Sequence, residues 1–334
     1  MHAVISVGLF VFNHEKFVRE AIEAIYAQTY RPLELIVSED ASTDGSRRII
    51  DDLLGRAPKG ITVIKIYQDT NMGLAHAINA VAGHTSGKVI VFAAGDDVSE
   101  ANRVSEIATA FSDPKVMFIH TGQCIIDENG KKLKGGESNH AVERVHTLSG
   151  HLNQANPSVL GATCAYRKEL FEYFSPLKAG IIQEDVILPF RSLLLGEGRC
   201  LPFSLVRYRT HGGNISFGGI DANSAEIVRR IIKMQDNRLA LASMALEDLS
   251  LHLARGGIVP VKLQHHLVVE LHEAEAESHV ASSKGGLKKT ARILQELFGR
   301  RLRCAAAIKL FFLYVIPSGY TFALWLRKKQ RALS

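Results

Sequence analysis

Apolar and polar positions along the first hundred residues fall into two kinds of short block that take turns. Residues 4–12, 33–38 (LELIVS), 61–68 and 88–94 are apolar runs rich in β-branched and aromatic side chains. Runs of this length and composition predict buried strands. Between them, 15–28 carries Phe17, Val18, Ala21, Ile22 and Ile25 at helical spacing. Residues 43–54 and 74–82 also read as helices, the first with Ser42 or Thr43 as its N-cap. Strands alternating with helices predict βαβ units and an α/β fold with a mainly parallel central sheet flanked by helices. Ligands of such sheets gather at the carboxyl ends of the strands. The loops after the second and fourth strands are therefore where chemistry is expected.

The pattern changes twice further on. Residues 127–156, including NGKKLKGGESNH, are rich in Gly, Asn, Lys, His and Ser and predict a mobile connection that could serve as a lid. From 222 to 303 the periodicity is helical, so the break near Gly219 divides an α/β part (1–219) from a helical C-terminal region (220–334). No internal repeat is visible. Residues 304–326 (CAAAIKLFFLYVIPSGYTFALWL) are long enough to span a bilayer. Lys309 and the Pro317-Ser318-Gly319 break interrupt them, and basic residues flank both ends. The 304–334 tail suits either helices lying in the interface of an anionic membrane or a helix docked on the protein.

Composition narrows the function classes. The 334 residues suffice for one large α/β domain and a smaller appendage, and 46% hydrophobic with 22% charged residues marks a folded protein. The formal charge of +6, from 40 basic and 34 acidic residues, is too small a surplus to argue for nucleic acid. Cys124, Cys164, Cys200 and Cys304 lie far apart with no C-x-x-C, which excludes a zinc knuckle and fits a reducing compartment. The N-terminus has no basic n-region or cleavage site, so it reads as a first strand and a cytoplasmic location is expected.

Four segments could carry chemistry. SEDASTDGS, after the second strand, offers Asp40 either as a turn former or as an acceptor for a nucleobase imide. FAAGDDVSE places Asp96 and Asp97 side by side after an apolar strand. Either they start a helix, or a hard divalent ion such as Mg²⁺ or Mn²⁺ neutralises them. Glu184 and Asp185 are flanked by apolar residues; they begin a helix, or one of them has a raised pKa and serves as a general base. His211, beside Gly212 and Gly213, is structural or a ligand of a divalent ion.

The order and spacing of these segments over residues 4–217 resemble the family 2 glycosyltransferases of the GT-A fold. ISVGLFVFNHEKFVREAIEAIYAQTYRPLELIVSEDASTDGS looks like that family's opening strand, helix and nucleotide-binding loop. NMGLAHAINAVAGHTSGKVIVFAAGDD leads to its acidic metal motif. GATCAYRKELFE resembles its acceptor loop, IIQEDVILPFR its catalytic-base segment and YRTHGGNIS its histidine motif. The resemblance implies an inverting, metal-dependent transferase, of hexosyltransferase type, acting in bacterial surface-polysaccharide assembly. A UDP- or dTDP-sugar would be donor and a glycan or lipid-linked hydroxyl the acceptor, at the inner face of the cell membrane. It implies that Phe12, Asn13, Asp40, Gly73 and Asp96 meet the nucleotide, and that Asp96, Asp97 and His211 hold Mg²⁺ or Mn²⁺. Asp185, with Glu184 beside it, would deprotonate the acceptor, and Gly161, Ala162 and Thr163 would line the acceptor side. This chain departs from the family pattern in having Phe10-Val11-Phe12-Asn13 after the first strand and in lacking the earlier aspartate of the fuller acidic motif. Two rival readings are a sugar nucleotidyltransferase and an inactive sugar-nucleotide-binding scaffold. The first would want a glycine- and arginine-rich loop after strand one, which is absent here.

Overall fold

In the computed structural model, which describes residues 3–137, 142–156, 159–212 and 224–282, the first hundred residues form the strand–helix repeat that the pattern predicts. The elements are β1 (Ile5–Val11), α1 (Val18–Tyr26), β2 (Leu33–Glu39), α2 (Ser46–Leu54), β3 (Ile61–Tyr67), α3 (Leu74–His84) and β4 (Val89–Ala94). All four strands are parallel neighbours in the order β3-β2-β1-β4. One face of this sheet, Val7, Leu9, Leu35, Val37 and Val91, packs on Val18, Ile22 and Ile25 of α1 and Ile50 of α2. On the other face α3 sits so close to β1 that a Cβ on Gly8 would meet Val81 at 2.7 Å. Covering both faces explains why these strands read as continuous apolar runs rather than alternating ones. Glu34 is buried among them and satisfied: it accepts from Ser6 Oγ at 2.5 Å and from Ser86 N and Oγ at 3.0 and 2.7 Å.

The rest of the unit extends the sheet with mixed strands. These are β5 (Val98–Ser99), α4 (Arg103–Ala110), β6 (Val116–Ile126), β7 (Lys132–Glu137), β8 (Arg144–His146), α5 (Leu148–Leu152), a 3-10 turn (Gly161–Thr163), β9 (Cys164–Arg167), α6 (Glu169–Tyr173), α7 (Glu184–Leu195) and β10 (Glu197–Arg209). The path runs β4-β9-β6-β10-β5, with β9 antiparallel to both of its neighbours. The stretch expected to be a mobile connection contains β7, paired to β6, and β8, paired to β10. Residues 132–135 of β7 are exposed, so the segment shows none of the alternation by which a half-buried strand is read.

Packing divides the chain into Met1–Gly218 with Leu251–Gly257, and Gly219–Ser250 with Ile258–Ser334. The helical region contains α8 (Ser224–Ala254) and α9 (Val261–Ser282). Within its own unit, Arg238 of α8 pairs with Glu277 at 2.7 Å and Glu273 at 3.4 Å on α9. The 304–334 tail lies outside the described residues. Among the described residues no helix is long and apolar enough to cross a membrane.

Candidate active site

The carboxyl ends of β1, β2 and β4 carry the first group of expected residues. Asn13 takes a left-handed φ of 57°. Its backbone N–H donates to Ser42 Oγ at 2.9 Å, and its side-chain oxygen accepts from Thr43 N at 2.8 Å. Asn13 thus staples the loop after β1 to the loop after β2. Phe12, beside it, leaves 42% of its surface exposed. Asp40 is buried, and its two oxygens accept from Met72 N at 2.7 Å and Gly73 N at 2.8 Å. Gly73 has a φ of 82°, the left-handed region in which glycine carries no Cβ penalty. A carboxylate has about four lone-pair sites, so each Asp40 oxygen can accept once more.

Asp96 and Asp97 follow β4 and are both buried. Asp97 Oδ1 accepts from Arg209 N at 2.8 Å, whereas its Oδ2 is buried with no hydrogen-bond partner. His211 Nε2 hydrogen-bonds Asp96 Oδ2 at 3.0 Å, and His14 Nε2 lies 3.7 Å from the same oxygen. Burial opposes ionisation of Asp96, but the His211 hydrogen bond and the two nearby imidazoles hold its carboxyl below the usual range. Burial first, and the Asp96 charge second, push Asp97 well above that range. Burial likewise lowers His14 against the pull of Asp96. A buried, partnerless carboxylate oxygen beside a second carboxylate fits a divalent cation. Among the described residues no three His, Cys, Asp or Glu side chains form a ready-made cation cage. The three side chains expected at a cation, Asp96, Asp97 and His211, stand together at the carboxyl end of β4, with His211 joined to Asp96 by its hydrogen bond. Mg²⁺ is commonly held by one or two carboxylates plus phosphate oxygens and water.

The second group meets across the turn before β9. Gly161 packs against the carboxyl of Glu184, where a Cβ would fall 1.9 Å from Oε1. The Gly161 N–H donates to the Asp185 carboxylate. The turn at Gly161–Thr163 and the Glu184–Asp185 pair, distant in sequence, are thus brought together. Ala162 lends its carbonyl to Arg103 at 2.9 Å, and the Thr163 hydroxyl turns inward to Leu160 O at 2.8 Å. Burial, then the charge of Asp185, pushes Glu184 up to about 8; burial also raises Asp185. The folded state therefore keeps a proton that the unfolded chain releases near 4.5. Stability from this group is fully present below that value and is lost as pH rises through about 8. Glu184→Gln is expected to flatten the loss, a change of a few kcal/mol. Urea melts of both proteins at pH 5 and pH 8 check this; parallel losses in the two would contradict it.

Three residues escaped the sequence reading. His14 stands in FNHEK, next to the Asn13 that was singled out. Arg209 stands two residues before His211 and is buried. It donates from Nε to Asp96 O at 2.9 Å and from Nη1 to Glu128 O at 2.9 Å, and lies 4.9 Å over the Phe17 ring. Its neighbourhood to His211 was the available signal. Arg103, on α4, had none.

Comparison with known proteins bears on the family and the fold. The profile of the family described as Glycosyl transferase family 2 matches residues 6–174. An uncharacterized glycosyltransferase of Nostoc sp. (strain PCC 7120) is 29% identical over 227 residues, 66% of this chain and 69% of that protein. EpsE of Bacillus subtilis (strain 168) is 33% identical over 127 residues, 38% of this chain and 45% of its own length. Among solved structures, S. aureus TarS 1-349 in complex with UDP-GlcNAc superposes with a TM-score of 0.54 at 17% identity, covering 94% of this chain and 90% of that one. The mannosyltransferase PcManGT of Pyrobaculum calidifontis, in complex with GDP-Man and Mn²⁺, gives 0.53 at 17% identity, covering 97% and 88%. The fold is GT-A, and with the family profile spanning half its length the chain belongs to glycosyl transferase family 2.

Proposed function

We propose that the chain transfers a sugar from a nucleoside diphosphate, UDP or dTDP, to a hydroxyl of a glycan or lipid-linked acceptor, with a divalent cation and with inversion. The catalytic domain in this reading is residues 1–219, and the context is cell-surface polysaccharide synthesis. The observation that carries it is the buried, partnerless Oδ2 of Asp97 beside Asp96, at the carboxyl end of β4. Asp40 would accept from the nucleobase N–H, with Phe12 stacking on the ring. Asp97 and Asp96 would hold Mg²⁺ or Mn²⁺, which as a Lewis acid offsets the charge that develops on the leaving diphosphate. His211, hydrogen-bonded to Asp96, would help to hold the cation or the diphosphate. Asp185 would take the proton of the acceptor hydroxyl as its oxygen bonds to the anomeric carbon and the bond to phosphate breaks on the opposite face. One base and one displacement give inversion without a covalent intermediate.

The test is UDP, dTDP or GDP release from UDP-GlcNAc, UDP-Glc, dTDP-Glc and GDP-Man, with Mn²⁺, Mg²⁺ or EDTA. Cation-dependent release from at least one sugar nucleotide is expected. Binding without turnover would favour the scaffold reading, and pyrophosphate release from a nucleoside triphosphate with a sugar phosphate would favour the nucleotidyltransferase. Peripheral attachment at the inner face of the membrane is part of the same reading. It predicts release from membranes by salt or detergent, and recovery of the whole chain without either overturns it.

A further inference from the structure

Arg103 is the first residue of α4 and is fully buried. Its side chain joins the nearby Ser99 and β4 to a turn 59 residues further along the chain. Nη1 donates to Ser99 Oγ at 3.0 Å; Nη2 donates to Phe92 O of β4 and to Ala162 O of the turn before β9, both at 2.9 Å. Phe92 lies four residues before Asp96 on the strand that delivers the carboxylate pair. Ala162 follows Gly161, whose N–H holds the Asp185 carboxylate. An unbroken chain of hydrogen bonds and short covalent links therefore runs from β4, through one guanidinium, to Asp185. Burying a guanidinium is costly unless its donors are satisfied. Here both Nη groups are satisfied while Nε has no partner, and the bond to Ala162 O adds a side-chain tie beyond the β4–β9 ladder, which ends at the pair Val91–Ala165. The planar fork of arginine fixes two carbonyls in one geometry, which the point charge of a lysine does not.

We infer that Arg103 is a positioning residue, holding the turn at Gly161–Thr163, and through it Asp185, at a set distance from the Asp96–Asp97 pair. This rests on the proposed role of Asp185 as base. Arg103 touches neither substrate, and its effect is expected on the chemical step rather than on donor binding.

The experiment compares Arg103→Gln and Arg103→Lys with the wild type, using the preferred sugar nucleotide of the panel with water as acceptor, and UDP with Mn²⁺ for calorimetric binding. Turnover per folded molecule is expected to fall about 100-fold in R103Q, the size of loss that a small misplacement brings. Donor affinity should stay within about twofold, and R103K should recover roughly tenfold because its ammonium reaches some of the same acceptors. Leu54→Ala, a core truncation in α2, serves as the control for lowered melting temperature and should keep its turnover per folded molecule. Turnover in R103Q within about threefold of wild type, or loss of donor affinity in step with turnover, overturns the inference. If R103Q does not fold, R103K carries the test: wild-type turnover in it is the overturning result. Asp185→Asn separates the two claims. Full activity there removes the base itself, whereas a dead D185N beside an active R103Q removes only the role of Arg103.

Discussion

Asp97→Asn is expected to lose cation-dependent turnover while the metal-free protein melts no lower than the wild type. The two halves have one cause. Asp97 Oδ2 is buried without a partner, next to the carboxylate of Asp96. Two adjacent carboxyl groups in a dry site disfavour each other's charge, so the fold keeps this pair at an energetic cost that a cation would remove. Asparagine retains the oxygen that accepts from Arg209 N at 2.8 Å and deletes the charge. Turnover should drop by a factor of about 10³ or more, on the scale of removing a preorganised electrostatic contact to the transition state. A cation and nucleotide at a hundred times their dissociation constant stabilise a protein by about 2.7 kcal/mol, roughly 5–10 °C in Tm. That shift should be present in the wild type and absent in D97N. Thermal melts with and without Mn²⁺ and UDP measure it, and an undiminished shift in the variant would remove Asp97 from the cation site.

Asp185→Asn should separate chemistry from binding. Its side chain is near-isosteric, and the remaining oxygen can still accept from the Gly161 N–H, so the turn before β9 should hold. What disappears is the ability to take a proton. The expected loss in transfer is about 10²–10⁴-fold, the range of a general base, with donor affinity within about twofold. Burial raises the Asp185 carboxyl, so wild-type turnover should climb with pH as that group ionises. D185N should show a flat, low profile. Equal turnover in the two proteins would falsify the assignment; loss of donor binding along with turnover would make Asp185 structural.

The parallel half of the fold was legible because its strands are buried on both faces, leaving long apolar runs separated by helical spacing. α1 begins at Val18 rather than 15, and α2 at Ser46 rather than 43, because Asn13, Glu15, Ser42 and Asp44 tie the two preceding loops together. Such cross-loop bonds leave no trace in a periodicity. β7 was missed for a different reason: a strand whose residues are mostly exposed shows no alternation. The carboxylate pairs were legible as charge set against apolar flanks. Which of their oxygens find a partner was not, since the donors at Arg209 and Gly161 fold in from distant segments and Asp97 Oδ2 is left without one. His211 illustrates the limit: its presence near Asp96 could be expected, but its hydrogen bond to Oδ2 appears only when β10 is placed beside β6.

The reversal of β9 has a consequence for how such a site can diversify. Because that strand runs against β4, the turn that precedes it emerges at the same edge as the loop that follows β4. The proposed donor contacts at Phe12, Asp40, Asp96 and Asp97 all lie within the first hundred residues, and the proposed acceptor contacts within 161–185. The two specificities therefore occupy separate stretches of chain and could be inherited or grafted separately. A chimera exchanged between the end of β6 and the start of α7 would carry a new acceptor preference onto an old donor preference, provided that it presents a backbone carbonyl where Ala162 now meets Arg103.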